Sequence, residues 1–132
     1  MTTRRISSGS EYETAVGYSR AVRRGPFVAV AGTTAPGADV TAQTREVLRR
    51  IGSALEQVGA DLTDVVRTRI FVTDIGQWPA IGAAHAEVFG DIRPVATMVE
   101  VAALISPDLL VEIEVDAYVV ESSGNVPSDP GT

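Results

Sequence analysis

Apolar residues recur along this chain at two periods, and the switches between them divide it into elements. The clearest period of two begins at Leu110. From there Val111, Ile113, Val115, Ala117 and Val119 alternate with Glu112, Glu114, Asp116 and Tyr118, the pattern of a half-buried strand. Phe27-Val-Ala-Val-Ala31 is a short apolar strand preceded by the turn signal Gly25-Pro26, and Tyr18 to Val22 forms the other arm of a hairpin. Val65 to Val72 is rich in β-branched residues. Its alternation places Val66, Thr68, Ile70 and Val72 on one face and Arg67, Arg69 and Phe71 on the other. A further strand spans Ala96 to Ala102, with Thr97, Val99 and Val101 opposite Met98 and Glu100.

Two segments show the helical period instead. After Asp39, a residue type suited to an N-cap, apolar positions fall at Val47, Leu48, Ile51, Ala54, Leu55 and Val58, and Gly59 supplies a stop. In the second, Trp78, Ile81, His85, Val88 and Phe89 line one face; Pro79 is tolerable only in the first turn, and Gly90 ends the helix. The order β-β-(β)-α-β-α-β-β predicts an α+β fold, one sheet with two helices on one face. The opposite face collects Arg67, Arg69, Glu100, Glu112, Glu114 and Asp116, with Met98 and Phe71 among them. Charges of both signs suit either a solvated face or a symmetric contact between subunits.

The 132 residues fit one domain, predicted over 1–120, in which a chain of this size buries roughly two-thirds of its unfolded surface. From Glu121 the composition turns polar and rich in Gly and Pro, so 121–132 is expected to be a disordered tail. There is no cysteine, which excludes disulfides, thiolate nucleophiles and cysteine-ligated metals, and a single histidine excludes a His-rich zinc site. No metal or cofactor is expected. The net charge is −6, and the basic pairs Arg4-Arg5, Arg23-Arg24 and Arg49-Arg50 are too short for a phosphate-binding surface, so no nucleic-acid partner is expected. No apolar run approaches the ~20 residues of a membrane span, and Met1 to Ile6 lacks the apolar run of a signal peptide. A cytoplasmic location is the expectation.

Four stretches together are similar to the YjgF/Rid family (RidA-type, or endoribonuclease L-PSP, proteins): Gly17-Tyr18-Ser19-Arg20-Ala21-Val22; Phe27-Val-Ala-Val-Ala31-Gly32-Thr33; Arg69-Ile-Phe-Val-Thr-Asp74; and Arg93-Pro94-Val95-Ala96-Thr97-Met98-Val99-Glu100-Val101 followed by Val111-Glu112-Ile113-Glu114. The resemblance covers roughly residues 4–120. It implies a chorismate-mutase-like α+β fold and a homotrimer with small-molecule clefts between subunits, helices outward and sheets inward.

Deaminases of that family hydrolyse enamines and imines derived from amino acids, gripping the substrate carboxylate with an arginine two residues after the proline of a P-x-R-[ST] motif. Here Pro94 is followed by Val95 and Ala96. Losing a bidentate, charge-assisted contact costs about 1.5–3 kcal/mol, or ~10- to 100-fold in affinity, so an efficient 2-aminoacrylate deaminase is not expected. Arg93, three residues earlier, is the candidate substitute. The family's S-G-Q triplet is Ala31-Gly32-Thr33, and His85 and Gly82 stand where a tyrosine and an asparagine are often found. By resemblance, Glu112 matches the water-orienting glutamate.

The expected site is therefore Glu112 with His85 as acid/base pair. Tyr18, Gly32, Thr33 and Arg93 line the ligand pocket, and Ala96 and Met98 form an apolar floor that favours a neutral ligand. The activity implied is hydrolysis, deamination or tautomerisation of a small imine, enamine or carbonyl metabolite. A non-catalytic ligand-binding or regulatory trimer is the alternative. Ribonuclease action has the single histidine and the acid charge against it.

Overall fold

The computed structural model describes residues 2–120; the polar tail expected over 121–132 lies outside them. The elements are β1 (Thr3–Ile6), β2 (Ala21–Arg24), β3 (Phe27–Thr33), α1 (Val40–Gln57), β4 (Val65–Val72), α2 (Trp78–Phe89), β5 (Val95–Glu100) and β6 (Val111–Tyr118). They build one sheet in the order β1-β2-β3-β6-β4-β5. β6, the last strand in sequence, runs antiparallel between β3 and β4, while β4 and β5 are parallel and joined through α2. Among the described residues no helix is long and apolar enough to cross a membrane.

The inner face is the predicted one. Val111, Ile113, Val115 and Ala117 are buried beneath Leu48, Ile51 and Leu55 of α1 and Ile81 and Phe89 of α2. Asp39 caps α1, its carboxylate accepting from the Ala42 amide at 2.8 Å, and Gly59 follows with φ 74°. Gly25, with φ 58°, opens the two-residue turn that joins β2 to β3 and adopts the positive φ such hairpin turns require.

Three features depart from strict alternation. A bulge between Val65 and Arg67 turns Val66 outward, half-exposed, and Val65 takes its place in the core. On β5, Ala96, Met98 and Glu100 are in register with Thr68, Ile70 and Val72, so Met98 and Glu100 belong to the helix side and not to the charged face. Trp78 is exposed at the start of α2 instead of packing with Ile81 and Phe89. The short strand β1 carries two arginines and no apolar alternation, which left it without a sequence signal; it forms by pairing with β2 and blunts the sheet edge with charge.

The outer face carries Arg69 3.2 Å from Asp116 and 3.6 Å from Glu114, with Arg67 3.9 Å from Asp116. Half-exposed pairs of this kind contribute about 0–1 kcal/mol each, against about 1.5–3 kcal/mol for each fully buried Val, Leu, Ile or Phe. The inner face holds the fold together. The outer face is free to serve association.

Candidate active site

Two irregularities meet at the end of β3. Val30 pairs with Val115 and Thr33 with Ile113, so β3 spends one residue more than β6 over this interval. The resulting bulge turns Thr33 inward, where it is buried, and brings Gly32 against Glu112 of β6. A Cβ at position 32 would overlap the Glu112 carboxylate. Glycine leaves the carboxylate room to lie against β3, and a larger residue would displace it.

Around this point opens a cleft of about 830 Å³. Its walls are the Ser7–Ser10 segment, Tyr18 and Arg20 ahead of β2, Gly32 to Thr34, one flank of α1 and Glu112. The Ser7–Ser10 wall is held by buried Glu13, which accepts from the Ser8 amide at 2.9 Å. Glu112 has no hydrogen-bond partner among the described residues. Burial raises its pKa, the neighbouring Glu114 raises it further, and Arg20 opposes both.

Arg20 is the residue that sequence reasoning missed. Its Nη1 donates to Gly32 O at 2.9 Å and Thr33 Oγ1 at 3.0 Å, with Ala31 O at 3.4 Å, and its guanidinium carbon stands 5.8 Å from the Tyr18 ring centroid. The expectation of a neutral ligand rested on an apolar floor of Ala96 and Met98; neither lines this cleft in the protomer, and Arg20 does. A signal was present: Arg20 follows Tyr18 by two, the spacing that places residues on one face of an extended strand.

Tyr18, Gly32, Thr33 and Glu112 thus come together within one protomer, while His85, Ala96, Met98 and Arg93 do not line this cleft. His85 belongs to the helix side of the sheet, where Nε2 lies 3.0 Å from Thr68 Oγ1 and the ring packs 4.7 Å from that of Phe89. The pairing of His85 with Glu112 is therefore not formed in the protomer, because the two project from opposite faces. Arg93 is exposed and has φ 56°, its amide bonded to Phe89 O at 2.8 Å, so it ends the turn after α2.

Burial lowers the pKa of His85. A folded pKa below the unfolded one gives stability that is complete above about pH 6.5 and is lost as pH falls through the folded value. His85→Gln is accordingly expected to melt with less acid sensitivity than wild type between about pH 7.5 and 5. Equal acid sensitivity in the two proteins would remove this account of the residue.

A mixed sheet with two helices on one face and a cleft at its strand ends is the chorismate-mutase-like α+β arrangement. The sequence model described as Endoribonuclease L-PSP matches residues 8–119. A crystal structure of Rv2704 from Mycobacterium tuberculosis, described as a member of the YjgF/YER057c/UK114 family, shares 66% identity at a TM-score of 0.88, covering 89% of this chain and 100% of that one. An uncharacterized protein, SCO2049, of Streptomyces coelicolor is 37% identical over 122 residues, 87% of this chain and 91% of its own length. The 3-aminoacrylate deaminase RutC of Acinetobacter baylyi is 42% identical over 81 residues, 61% of this chain and 64% of its own length. The chain belongs to the YjgF/Rid family.

Proposed function

We propose that this chain is a RidA-like protein acting on a small imine, enamine or carbonyl metabolite, with Glu112 as its acid/base group. The observation that carries the reading is the Glu112 carboxylate, half-buried, unpaired and raised in pKa, set over a glycine that leaves it room in the cleft. For an imine, Glu112 takes a proton from water as the oxygen adds to the imine carbon. The proton then passes to the nitrogen to give a carbinolamine; as Glu112 takes the hydroxyl proton and returns it to the nitrogen, the carbon–nitrogen bond breaks, and ammonia and a carbonyl product leave. An enamine first accepts a proton at carbon to become the imine. The similarity to a 3-aminoacrylate deaminase supports this class of compound.

Efficient 2-aminoacrylate deamination is not the expected activity, since β5 offers Ala96 where family deaminases carry arginine. Among the arginines that line the cleft, Arg20 approaches from the β2 side. The working unit is proposed to be a homotrimer in the cytoplasm, formed through the outer sheet face, where Phe27, Val99 and Tyr118 are exposed beside the Arg67, Arg69, Glu114 and Asp116 ladder. Ala96 and Arg93, both exposed, then reach the cleft only from a neighbouring subunit, whereas Met98 packs against the core of its own protomer. One observation favours the second reading, a ligand-binding trimer without turnover: His85 is engaged with Thr68 and leaves Glu112 without a histidine partner in the protomer.

Ammonia release from a panel of small imines and enamines separates the two readings, with sedimentation reporting the oligomer. Release above the buffer rate for at least one compound is expected. Compounds that bind and are never hydrolysed would establish the second reading.

A further inference from the structure

We propose that Arg20 is the specificity-determining residue of the cleft, anchoring a carboxylate of the ligand beside Glu112; this rests on the cleft assigned above. The backbone of Arg20 is fixed on both sides, its amide donating to Ile6 O at 2.9 Å and its carbonyl accepting from the Ala31 amide at 3.0 Å. The guanidinium is fixed as well. Nη1 alone holds it to the end of β3, through Gly32 O and Thr33 Oγ1, and the Tyr18 ring lies 5.8 Å from its carbon.

A guanidinium has five N–H donors, and the Nε and Nη2 edge makes no bond to the described residues. That edge is the geometry a carboxylate pairs with through both oxygens. Because the side chain is already held, little rotamer freedom is lost when a ligand binds.

Arg20 is not consumed by Glu112 either. The two share the cleft, yet no ion pair forms between them within 4.0 Å, whereas Arg69 closes on Asp116 at 3.2 Å on the outer face. The rim adds to the cleft's positive charge. Arg49 and Arg50 both bind the single carboxylate of Glu46, at 2.6 and 3.2 Å, leaving one positive charge uncompensated. In a chain of net charge −6, a cleft whose three arginines face the carboxylates of Glu46 and Glu112 keeps one positive charge in excess and attracts an anion. The ligand class is therefore a small carboxylate whose imine, enamine or carbonyl carbon lies within reach of Glu112.

The experiment is calorimetric titration of the full chain with 2-oxobutanoate and with its neutral amide, for wild type, Arg20→Gln, Arg20→Lys and Glu112→Gln. Glutamine removes the charge and shortens the side chain, lysine keeps the charge without the fork, and melting curves verify folding of both. Wild type is expected to prefer the carboxylate by about tenfold or more. Arg20→Gln should lose about 10- to 100-fold for the carboxylate and less than about twofold for the amide. Arg20→Lys should fall between, and Glu112→Gln should keep the preference. Equal binding of the two probes by wild type, binding of neither, or equal loss of both in Arg20→Gln overturns the proposal. These outcomes are independent of turnover, so the assignment of Glu112 as acid/base group stands or falls separately.

Discussion

Glu112→Gln is expected to lose turnover and to gain stability at neutral pH. The two effects have one cause. The carboxylate is taken partly out of water beside Glu114 and has no hydrogen-bond donor among the described residues, so its folded pKa lies above the ordinary glutamate value. A raised folded pKa means that the stability linked to this group is complete below the unfolded value of about 4.3 and is lost as pH rises through the folded one. At neutral pH the ionised Glu112 is therefore a cost to folding, and glutamine, which imitates the protonated acid, removes it.

The expected result is a higher melting temperature for the variant at about pH 7.5 and a difference that closes at about pH 4. Turnover should fall about 10²–10⁴-fold, the range over which a positioned acid/base group acts. In wild type, base catalysis by Glu112 should also decline with acidification over a range above that of ordinary glutamates. A variant that melts lower than wild type at neutral pH would mean that Glu112 serves as a structural ion-pair partner. Retained turnover would move the chemistry elsewhere.

Much of this fold was legible in the chain because alternation and helical period report burial directly. The inner residues of β6, the stripe along α1, the Asp39 cap and the Gly59 stop all follow from side-chain spacing. What spacing could not report were the places where two strands count differently. The bulge at Val66 reverses the face of a β-branched residue without any change in composition, and that at the end of β3 selects which of Gly32 and Thr33 meets Glu112.

The site was legible in the same proportion. Tyr18, Gly32, Thr33 and Glu112 were named from motifs and share a cleft, because each lies on or beside neighbouring strands. The chemistry of His85 and Glu112 suits an acid/base pair, but the sheet separates them. The role of Arg20 is not legible from spacing alone, because its hydrogen bonds to Gly32 and Thr33 depend on the bulge at the end of β3.

Gln43→Ala is expected to destabilise the protein by about 2–4 kcal/mol, the largest effect of any polar substitution proposed here. Gln43 is buried inside the apolar stripe of α1, only 1% exposed, and its amide is fully used. Nε2 donates to Asp108 O at 2.9 Å and Gly37 O at 3.3 Å, and Oε1 accepts from the Leu110 amide at 2.8 Å. One side chain on α1 thus fixes the segment entering β6, two residues before Glu112. Truncation would remove the partner of the part-buried Leu110 amide and of the Asp108 carbonyl and open a cavity at a buried position of α1, the larger of the two costs.

For a domain of this size such a loss lowers the melting temperature by about 10 °C. Turnover should fall as well, since the strand that aims Glu112 is no longer pinned at its start. Gln43→Leu separates the causes by retaining most of the volume without the amide. If it melts with wild type, packing alone holds the segment and the hydrogen bonds are incidental. If it falls with the alanine variant, the amide is what sets β6, and through β6 the position of the carboxylate on which the chemistry depends.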